Sequence, residues 1–192
     1  MASQGLKLAT LPQLVERDPK VASTLINELI AQNEGVVAEI RRLVYDLRPP
    51  ALDELGLVEA VRDQVILLGE DAGLLSHVQI RIERPPGGLP PLPAAIEVAA
   101  YRIALGAITN VARHSQAHSC TVRFSVDGVP PSRMLHLEIC DDGTGLPDGY
   151  RPGVGLTAMK ERAEEVGGKC VVEPLQAGGT RVSALLPLFK QG

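Results

Sequence analysis

An acidic pair that runs into a glycine-rich turn is the first feature of this sequence that could do chemistry, at Asp141-Asp142-Gly143-Thr144-Gly145. The apolar stretch before it, residues 135–140, predicts a strand that ends where the pair begins. A carboxylate there can accept a hydrogen bond from an amine, and glycines let the backbone approach a ligand closely. On its own, the pattern is just as typical of a surface turn.

A second glycine pair, in Gly153-Val154-Gly155-Leu156, leads directly into a predicted helix. Backbone N–H groups at a helix N-terminus lack partners within the helix, and the helix dipole favours negative charge there, so they bind anions such as phosphate. A loop that simply caps a helix gives the same pattern. The pair therefore indicates a phosphate site only if other residues converge on it.

Three polar residues share a face of the helix predicted over residues 94–114: Asn110, Arg113 and His114. An amide oxygen can ligate Mg²⁺, and a guanidinium or an imidazole can bind phosphate oxygens. An asparagine on a helix is, however, more often only solvated. The fourth segment, Gly179-Thr180, enters the last predicted strand and alone indicates no more than a tight turn.

Composition narrows the class of protein. Hydrophobic residues are 45% and charged residues 22% of the 192, which excludes wholesale disorder. A net charge of −4, with 3% aromatics and no Trp, argues against direct nucleic-acid binding. The three cysteines, Cys120, Cys140 and Cys170, fit reduced buried thiols. No apolar run reaches the ~18 residues of a membrane span and residues 1–10 show no signal-peptide pattern, so we expect a cytoplasmic chain or the cytoplasmic part of something larger.

Hydrophobic periodicity predicts the elements that position these residues. Residues 19–47 predict a long helix with a coiled-coil seam, stopped by Arg48-Pro49-Pro50, and residues 5–17 predict a shorter helix that folds back on it. Such a hairpin is either half of a four-helix dimer, which we prefer, or is packed on its own domain. From about residue 53 onward we predict helices layered on a sheet. The predicted helices cover 53–68, 94–114 and 156–166, a loop covers 84–93, and the strands cover 76–83, 119–126, 134–140, 169–173 and 180–186.

In combination, the four segments resemble the ATP-binding domain of the GHKL superfamily, which contains histidine kinases, Hsp90, DNA gyrase and MutL. Asn110 falls in its N box, residues 141–145 match the G1 box, residues 153–156 match the G2 box, and Gly179-Thr180 matches the last glycine box. The resemblance narrows to the sensor histidine kinases that include the nitrate sensors and the desaturase thermosensor. It covers nearly the whole chain, through RRLVYDLRP at 41–49, LDELGL at 52–57, TNVARHS at 109–115 and GLTAMKERA at 155–163.

This resemblance implies an α/β architecture, the two-layer α+β sandwich of the Bergerat fold, with partial dimerisation helices over residues 1–49 and an ATP-binding domain over 50–192. Asp141 would accept a hydrogen bond from the adenine amino group beside Thr180, and Asn110 would hold Mg²⁺ against the phosphates. Residues 146–152 would form a lid. The remaining nucleotide contacts would come from the glycine boxes and the end of the N box, namely Gly143, Gly145, Gly153, Gly155, Leu156, Arg113 and His114.

The activity implied is transfer of the γ-phosphoryl group of ATP to a histidine and onward to a response regulator, by a homodimer joined through the N-terminal helices. A membrane would be involved only through a missing upstream region. Two departures leave this activity open. None of the four histidines, His77, His114, His118 and His136, lies in residues 1–49, where the family carries its phospho-acceptor, and we prefer a truncated chain over a natural protein without an acceptor.

The second departure is Gly106, which stands where the N box usually carries a glutamate and favours impaired transfer over a site that tolerates the change. A nucleotide-binding pseudokinase or regulatory GHKL protein is therefore the alternative function. A stand-alone serine kinase of the anti-sigma type is disfavoured, because such a kinase needs no helical stalk.

Overall fold

The computed structural model describes residues 17, 21–23, 26, 48–72, 75, 77–129, 132–147, 150 and 153–188. The chain divides into two compact units, Met1–Pro49 and Pro50–Gly192. In the first unit, residues 17, 21–23 and 26 are helical. The rest of the helices predicted over residues 5–17 and 19–47, including the coiled-coil seam, lies outside the described residues.

The second unit begins with two helices separated by a single residue, α1 (Pro50–Leu55) and α2 (Leu57–Ala72). The sequence predicts one helix over residues 53–68, and the structure divides it at Gly56, whose φ of +75° lies in the left-handed region that favours glycine. The Gly56 N–H still donates to the carbonyl of Leu52 at 3.2 Å, so α1 is closed before α2 starts. The helical prediction is confirmed, and the break is an addition to it.

In the residues that the structure describes, five strands form one mixed sheet in the order β1-β2-β3-β5-β4. The strands are β1 (Gln79–Glu83), β2 (Ser119–Asp127), β3 (Met134–Asp141), β4 (Lys169–Pro174) and β5 (Thr180–Pro187). β1 runs parallel to β2, and the other neighbouring pairs are antiparallel. All five predicted strands are confirmed, although β1 starts three residues later than predicted.

Two further helices follow in the described part of the chain: α3 (Ala94–Asn110), which continues as a π turn over Val111–Ser115, and α4 (Val154–Glu165). Alternate residues of β3, namely Leu135, Leu137 and Ile139, are buried, while their neighbours are only half-buried. This alternation is typical of a sheet with one face covered. α3 packs on α2, α4, β3 and β5, so the helices cover that face and the predicted two-layer α+β architecture is confirmed.

One helical stretch in the described part of the chain, Ala94–Ser115, is long and apolar enough to cross a membrane by length and composition, whereas the sequence predicts no membrane span. Half of its most apolar part is buried inside the protein. Ile103 and Ile108 are fully buried in the core, where each side chain contributes about 1.5–3 kcal/mol. We therefore interpret this helix as the core helix of the domain.

Candidate nucleotide-binding site

A cavity of about 600 Å³ lies between α3, α4, the ends of β3 and β5 and the segment that joins β3 to α4. The four segments singled out in the sequence converge on it, although they are far apart along the chain. Of the predicted site residues, those that line the cavity are Asn110, His114, Asp141, Gly145, Gly153, Gly155, Leu156 and Thr180. Arg113 and Gly143 are not among the lining residues.

Asp141 is the last residue of β3, and its carboxyl group is held in a fixed orientation. It is 7% exposed, and its Oδ1 accepts a hydrogen bond from the Gly143 N–H at 2.9 Å. Burial raises the pKa of this carboxyl, while hydrogen bonds from the backbone N–H groups of Gly143 and Thr180 oppose the rise. An oriented carboxylate in a partly dry cavity can select a ligand that donates a hydrogen bond, such as an amine.

Asn110 and His114 enter the cavity from the C-terminal end of α3. Asn110 ends the α-helix, and the π turn over Val111–Ser115 carries His114. Hydrogen bonds in a π turn reach five residues instead of four, so residues four apart come closer to one face than residues three apart. The expectation that Arg113 shares the cavity face is therefore not met: Arg113 is exposed and outside the lining, whereas His114 lines the cavity together with Asn110.

The N-terminus of α4 supplies backbone N–H groups to the same cavity. Gly153 precedes the helix in an extended conformation and caps it without a side-chain hydrogen bond. The first N–H groups of a helix have no intrahelical partner, and Gly153, Val154 and Gly155 all line the cavity. The Gly153 N–H donates to the hydroxyl of Tyr150 at 3.3 Å. Since these groups and the helix dipole favour negative charge, phosphate is the fitting ligand here.

Close backbone contacts explain two glycines that the sequence pattern connects with a ligand. A Cβ on Gly143 would stand 2.2 Å from the carbonyl oxygen of Ser115, and a Cβ on Gly179 would stand 1.9 Å from that of Asp141. Neither residue could carry a side chain without moving its neighbour. Gly143 therefore has a packing role, in which it lets the loop after β3 lie against the end of α3, and its contact with a ligand stays a prediction.

Gly106 lies on α3 about one turn before Asn110 and faces the neighbouring helix rather than the cavity. A Cβ at this position would stand 3.3 Å from both Cγ and Sδ of Met159, which is fully buried on α4. Gly106 does not line the cavity. The position at which the family resemblance expects a carboxylate is thus part of a close contact between two helices.

The cavity also has lining residues that the sequence analysis did not single out. Most are apolar, and three of them belong to strands: Ile139, Val172 and Val182. Strand alternation can assign Ile139 and Val182 to the covered face, but the position of Val172 depends on the strand order, which the sequence does not reveal. Leu146, Pro147 and Tyr150 lie within the predicted lid and also line the cavity. The other lid residues, 148, 149, 151 and 152, lie outside the described residues.

The donors and acceptors of the cavity fit a nucleotide with its magnesium ion. Asp141 accepts, the α4 N-terminus donates, and the strand side chains offer apolar surface for a base. In the described part of the chain, no group of three or more His, Cys, Asp or Glu side chains could hold a metal ion. A magnesium ion would therefore take most of its ligands from phosphate oxygens and water, with the amide oxygen of Asn110 as the protein ligand.

Comparison with known proteins agrees with this geometry. Residues 95–190, half of the chain, match the family described as histidine kinase-, DNA gyrase B-, and HSP90-like ATPase. The chain is 34% identical over 170 residues to the signal transduction histidine-protein kinase/phosphatase UhpB of Salmonella typhimurium, covering 88% of this chain and 31% of UhpB. It is 31% identical over 171 residues to the sensor histidine kinase MctS of Rhizobium johnstonii, covering 86% of this chain and 35% of MctS.

Among solved structures, the blue-light activated histidine kinase EL346 of Erythrobacter litoralis shares the fold, with a TM-score of 0.59 at 18% identity. That match covers 98% of this chain and 65% of EL346. The chain spans about a third of the length of UhpB and MctS. The chain therefore belongs to the histidine kinase-, DNA gyrase B- and HSP90-like ATPase family, as an ATP-binding domain of the sensor histidine kinase type.

Proposed function

We propose that this chain binds ATP with Mg²⁺ and transfers the γ-phosphoryl group to a histidine supplied by a dimerisation helix, from which it passes to an aspartate of a response regulator. The convergence of Asp141, Asn110 and the N-terminus of α4 on one cavity is the observation that supports it most. Those three groups match the base, the metal ion and the phosphates of a nucleotide in chemical character. The names of the relatives UhpB and MctS, both histidine kinases, support transfer of the phosphoryl group from ATP to a histidine.

Each of the site residues has a separate role in this proposal. The carboxylate of Asp141 accepts a hydrogen bond from the adenine amino group, with Thr180 beside it, and so selects adenine. The N–H groups at the start of α4 hold the phosphates. The amide oxygen of Asn110 would hold the magnesium ion, which would neutralise phosphate charge. His114, which also lines the cavity, would contact a phosphate oxygen. Arg113 does not line the cavity and would contribute its positive charge from outside it.

In the transfer itself, the bond between the γ-phosphorus and the bridging oxygen breaks, a bond from phosphorus to the histidine nitrogen forms, and ADP leaves. Such transfer depends on positioning and charge stabilisation rather than on covalent chemistry of the protein. The chain can therefore retain some activity without a carboxylate at position 106. That missing carboxylate nevertheless supports a second function, a nucleotide-binding pseudokinase that regulates a partner without transfer.

The partners follow from the same family. We propose a homodimer through the N-terminal helices, a response-regulator receiver domain as the onward acceptor, and a cytoplasmic position for the ATP-binding domain. Because none of the four histidines lies in residues 1–49, the phospho-accepting histidine would come from a segment that this sequence does not contain.

A radiolabel assay tests the proposal and separates the two functions. The full chain is incubated with Mg-ATP labelled at the γ-phosphate, a dimerisation helix that carries a His-Asp motif, and a receiver domain. Label on the helix and then on the receiver supports the kinase. Saturable ATP binding without label on either supports the pseudokinase, and no ATP binding rejects both. Asp141→Asn serves as the variant that loses binding.

A further inference from the structure

Ser115 connects the helix that carries Asn110 to the loop that follows Asp141. It closes the π turn at the end of α3, lines the cavity and is 8% exposed. Its backbone carbonyl accepts a hydrogen bond from the Thr144 N–H at 2.8 Å. The helix and the loop are thus joined directly at a buried residue on the wall of the site.

The hydroxyl group of Ser115 fixes the conformation of this junction. It donates a hydrogen bond to the carbonyl of Val111 at 2.8 Å and accepts one from the Ala117 N–H at 3.0 Å. Between these partners the chain reverses at Gln116, whose φ of +54° is in the left-handed region. The hydroxyl therefore holds both sides of the reversal, and an alanine here would take a hydrogen-bond partner from two backbone groups.

Gly143 contacts both Ser115 and the carboxyl group of Asp141, and so connects the positions of these two residues. A Cβ on Gly143 would stand 2.2 Å from the carbonyl oxygen and 2.7 Å from the Cβ of Ser115, so the two residues are in closest backbone contact. The Gly143 N–H in turn donates to Oδ1 of Asp141 at 2.9 Å. In a close-packed interior, a shift of Ser115 therefore moves the loop together with the Asp141 carboxyl group that the Gly143 N–H holds, and so changes the distance from that carboxyl to Asn110.

We propose that Ser115 is a positioning residue, which sets the distance between the phosphate end of the cavity, at Asn110 and His114, and the base end, at Asp141. This inference rests on the proposed function, because it assigns the two ends to the two parts of ATP. A ligand that spans both ends gains affinity when their spacing is fixed in advance. A ligand that fills only one end does not sense that spacing.

Ser115→Ala in the full chain separates positioning from packing. We expect the affinity for Mg-ATP, measured by calorimetry, to fall about tenfold, and the affinities for adenosine and for inorganic tripolyphosphate, measured by NMR titration, to stay within about twofold. Equal losses for the three ligands, or an affinity for Mg-ATP within about twofold of the unmodified chain, would overturn the proposal. If all binding is lost from every variant and from the unmodified chain, the proposed function fails instead.

Ser183→Ala is the matched control. It also removes a serine hydroxyl with a hydrogen bond, at 3.0 Å to Nε2 of His136, on the face of the sheet that the helices do not cover. All three affinities should stay unchanged in this variant. A loss for Mg-ATP like that of Ser115→Ala would mean that any lost serine hydroxyl weakens binding, which contradicts a specific role for Ser115.

Hydrogen exchange on the unmodified chain covers the case in which Ser115→Ala does not fold. The amide protons of Thr144 and Ala117 should be protected, and saturating Mg-ATP should slow the exchange of both by at least about threefold. Exchange of the Thr144 amide at the rate of an unbonded loop, or no slowing of either amide by Mg-ATP when binding is observed by calorimetry, would contradict the proposal.

Discussion

Gly155 of α4 lies against the side chain of Asn110 of α3: a Cβ on Gly155 would stand 3.6 Å from Oδ1 and 3.9 Å from Nδ2 of Asn110. Both are ordinary contact distances, and Gly155 has no positive φ. Neither a clash nor backbone strain therefore accounts for a glycine here. Without a side chain, this residue leaves the amide of Asn110 open to the cavity, where we propose that the magnesium ion and the phosphates are held.

The first prediction concerns that opening. Gly155→Ala should preserve or raise the melting temperature, because this residue has no positive φ and alanine loses less backbone entropy than glycine on entering a helix. The new methyl group should nevertheless shield Asn110, so we expect the affinity for ATP with Mg²⁺ to fall about fivefold, and the affinity without Mg²⁺ to change less than about twofold. Calorimetry with and without the metal ion measures the difference.

Gly153→Ala is the control for this prediction, because it lines the same cavity and a Cβ there would have no atom within 4 Å. It keeps its backbone N–H and should leave both affinities nearly unchanged. If Gly155→Ala weakened binding equally with and without Mg²⁺, the methyl group would be acting on the phosphates or the helix end, and the role of Asn110 as the metal ligand would be wrong.

The second prediction concerns adenine recognition by Asp141. Asp141→Asn replaces half of a carboxylate acceptor with an N–H donor, which would face the amino group of the base. Hydrogen bonds to charged groups contribute about 1.5–3 kcal/mol, so we expect the affinity for ATP to fall at least about tenfold. Asp142→Asn is the matched control, since Asp142 is adjacent but lies outside the cavity lining. Unchanged affinity in Asp141→Asn would remove Asp141 from the base contact.

Within residues 50–188, periodicity was sufficient to predict the helices and strands because each of them buries one regular stripe or face. The helices predicted over residues 5–17 and 19–47 stay predictions. The alternation of Leu135, Leu137 and Ile139 on β3 predicts a strand covered on one side, and the structure has it. Periodicity missed two backbone features. Gly56 has a left-handed backbone that a hydrophobic pattern does not encode, and the π turn over Val111–Ser115 ends at a residue whose carbonyl accepts the Thr144 N–H of the distant loop after β3.

The candidate site was predictable to the level of segments rather than side chains. Glycines in a motif indicate that another group approaches the backbone closely. The sequence does not reveal whether that group is a ligand or another part of the protein. At Gly143 the neighbour is Ser115, while at Gly155 it is the side chain of Asn110. Val172 was missed for a different reason, because its place on the cavity wall follows from the order β3-β5-β4.

The third prediction concerns the missing carboxylate at position 106. Gly106→Glu should raise phosphorylation of a supplied acceptor helix above that of the unmodified chain, by about threefold or more, if a carboxylate assists transfer. The substitution also forces a Cβ to within 3.3 Å of Met159, which is a packing cost of overfilling a core contact. Gly106→Gln carries the same packing cost without the charge and is therefore the control.

Rates of label transfer for the glutamate and glutamine variants decide this prediction. A higher rate for Gly106→Glu than for Gly106→Gln shows that the charge assists transfer, whatever the packing cost. Equal rates for the two variants would show that the departure at Gly106 is harmless to catalysis. Thermal melts of both variants check that the contact with Met159 has the same effect in each.

The last prediction concerns the pH dependence of stability at Asp142. The pKa of this carboxyl is lowered from 3.8 by hydrogen bonds from the backbone N–H and the hydroxyl of Ser119, and by the N–H of His118. A lowered pKa in the folded state means that this carboxylate stabilises the fold above pH 3.8 and loses that contribution as the pH falls through the folded-state value.

Asp142→Asn should therefore lower the melting temperature at neutral pH, and its difference from the unmodified chain should shrink as the pH falls below 3.8. Burial raises the pKa of the neighbouring Asp141, so its titration changes the stability of the unmodified chain with pH as well. The melting temperature of Asp142→Asn must therefore be compared with that of the unmodified chain at each pH. A difference in melting temperature that stays constant between pH 7 and pH 3 would show that the hydrogen bonds to Asp142 do not depend on its charge.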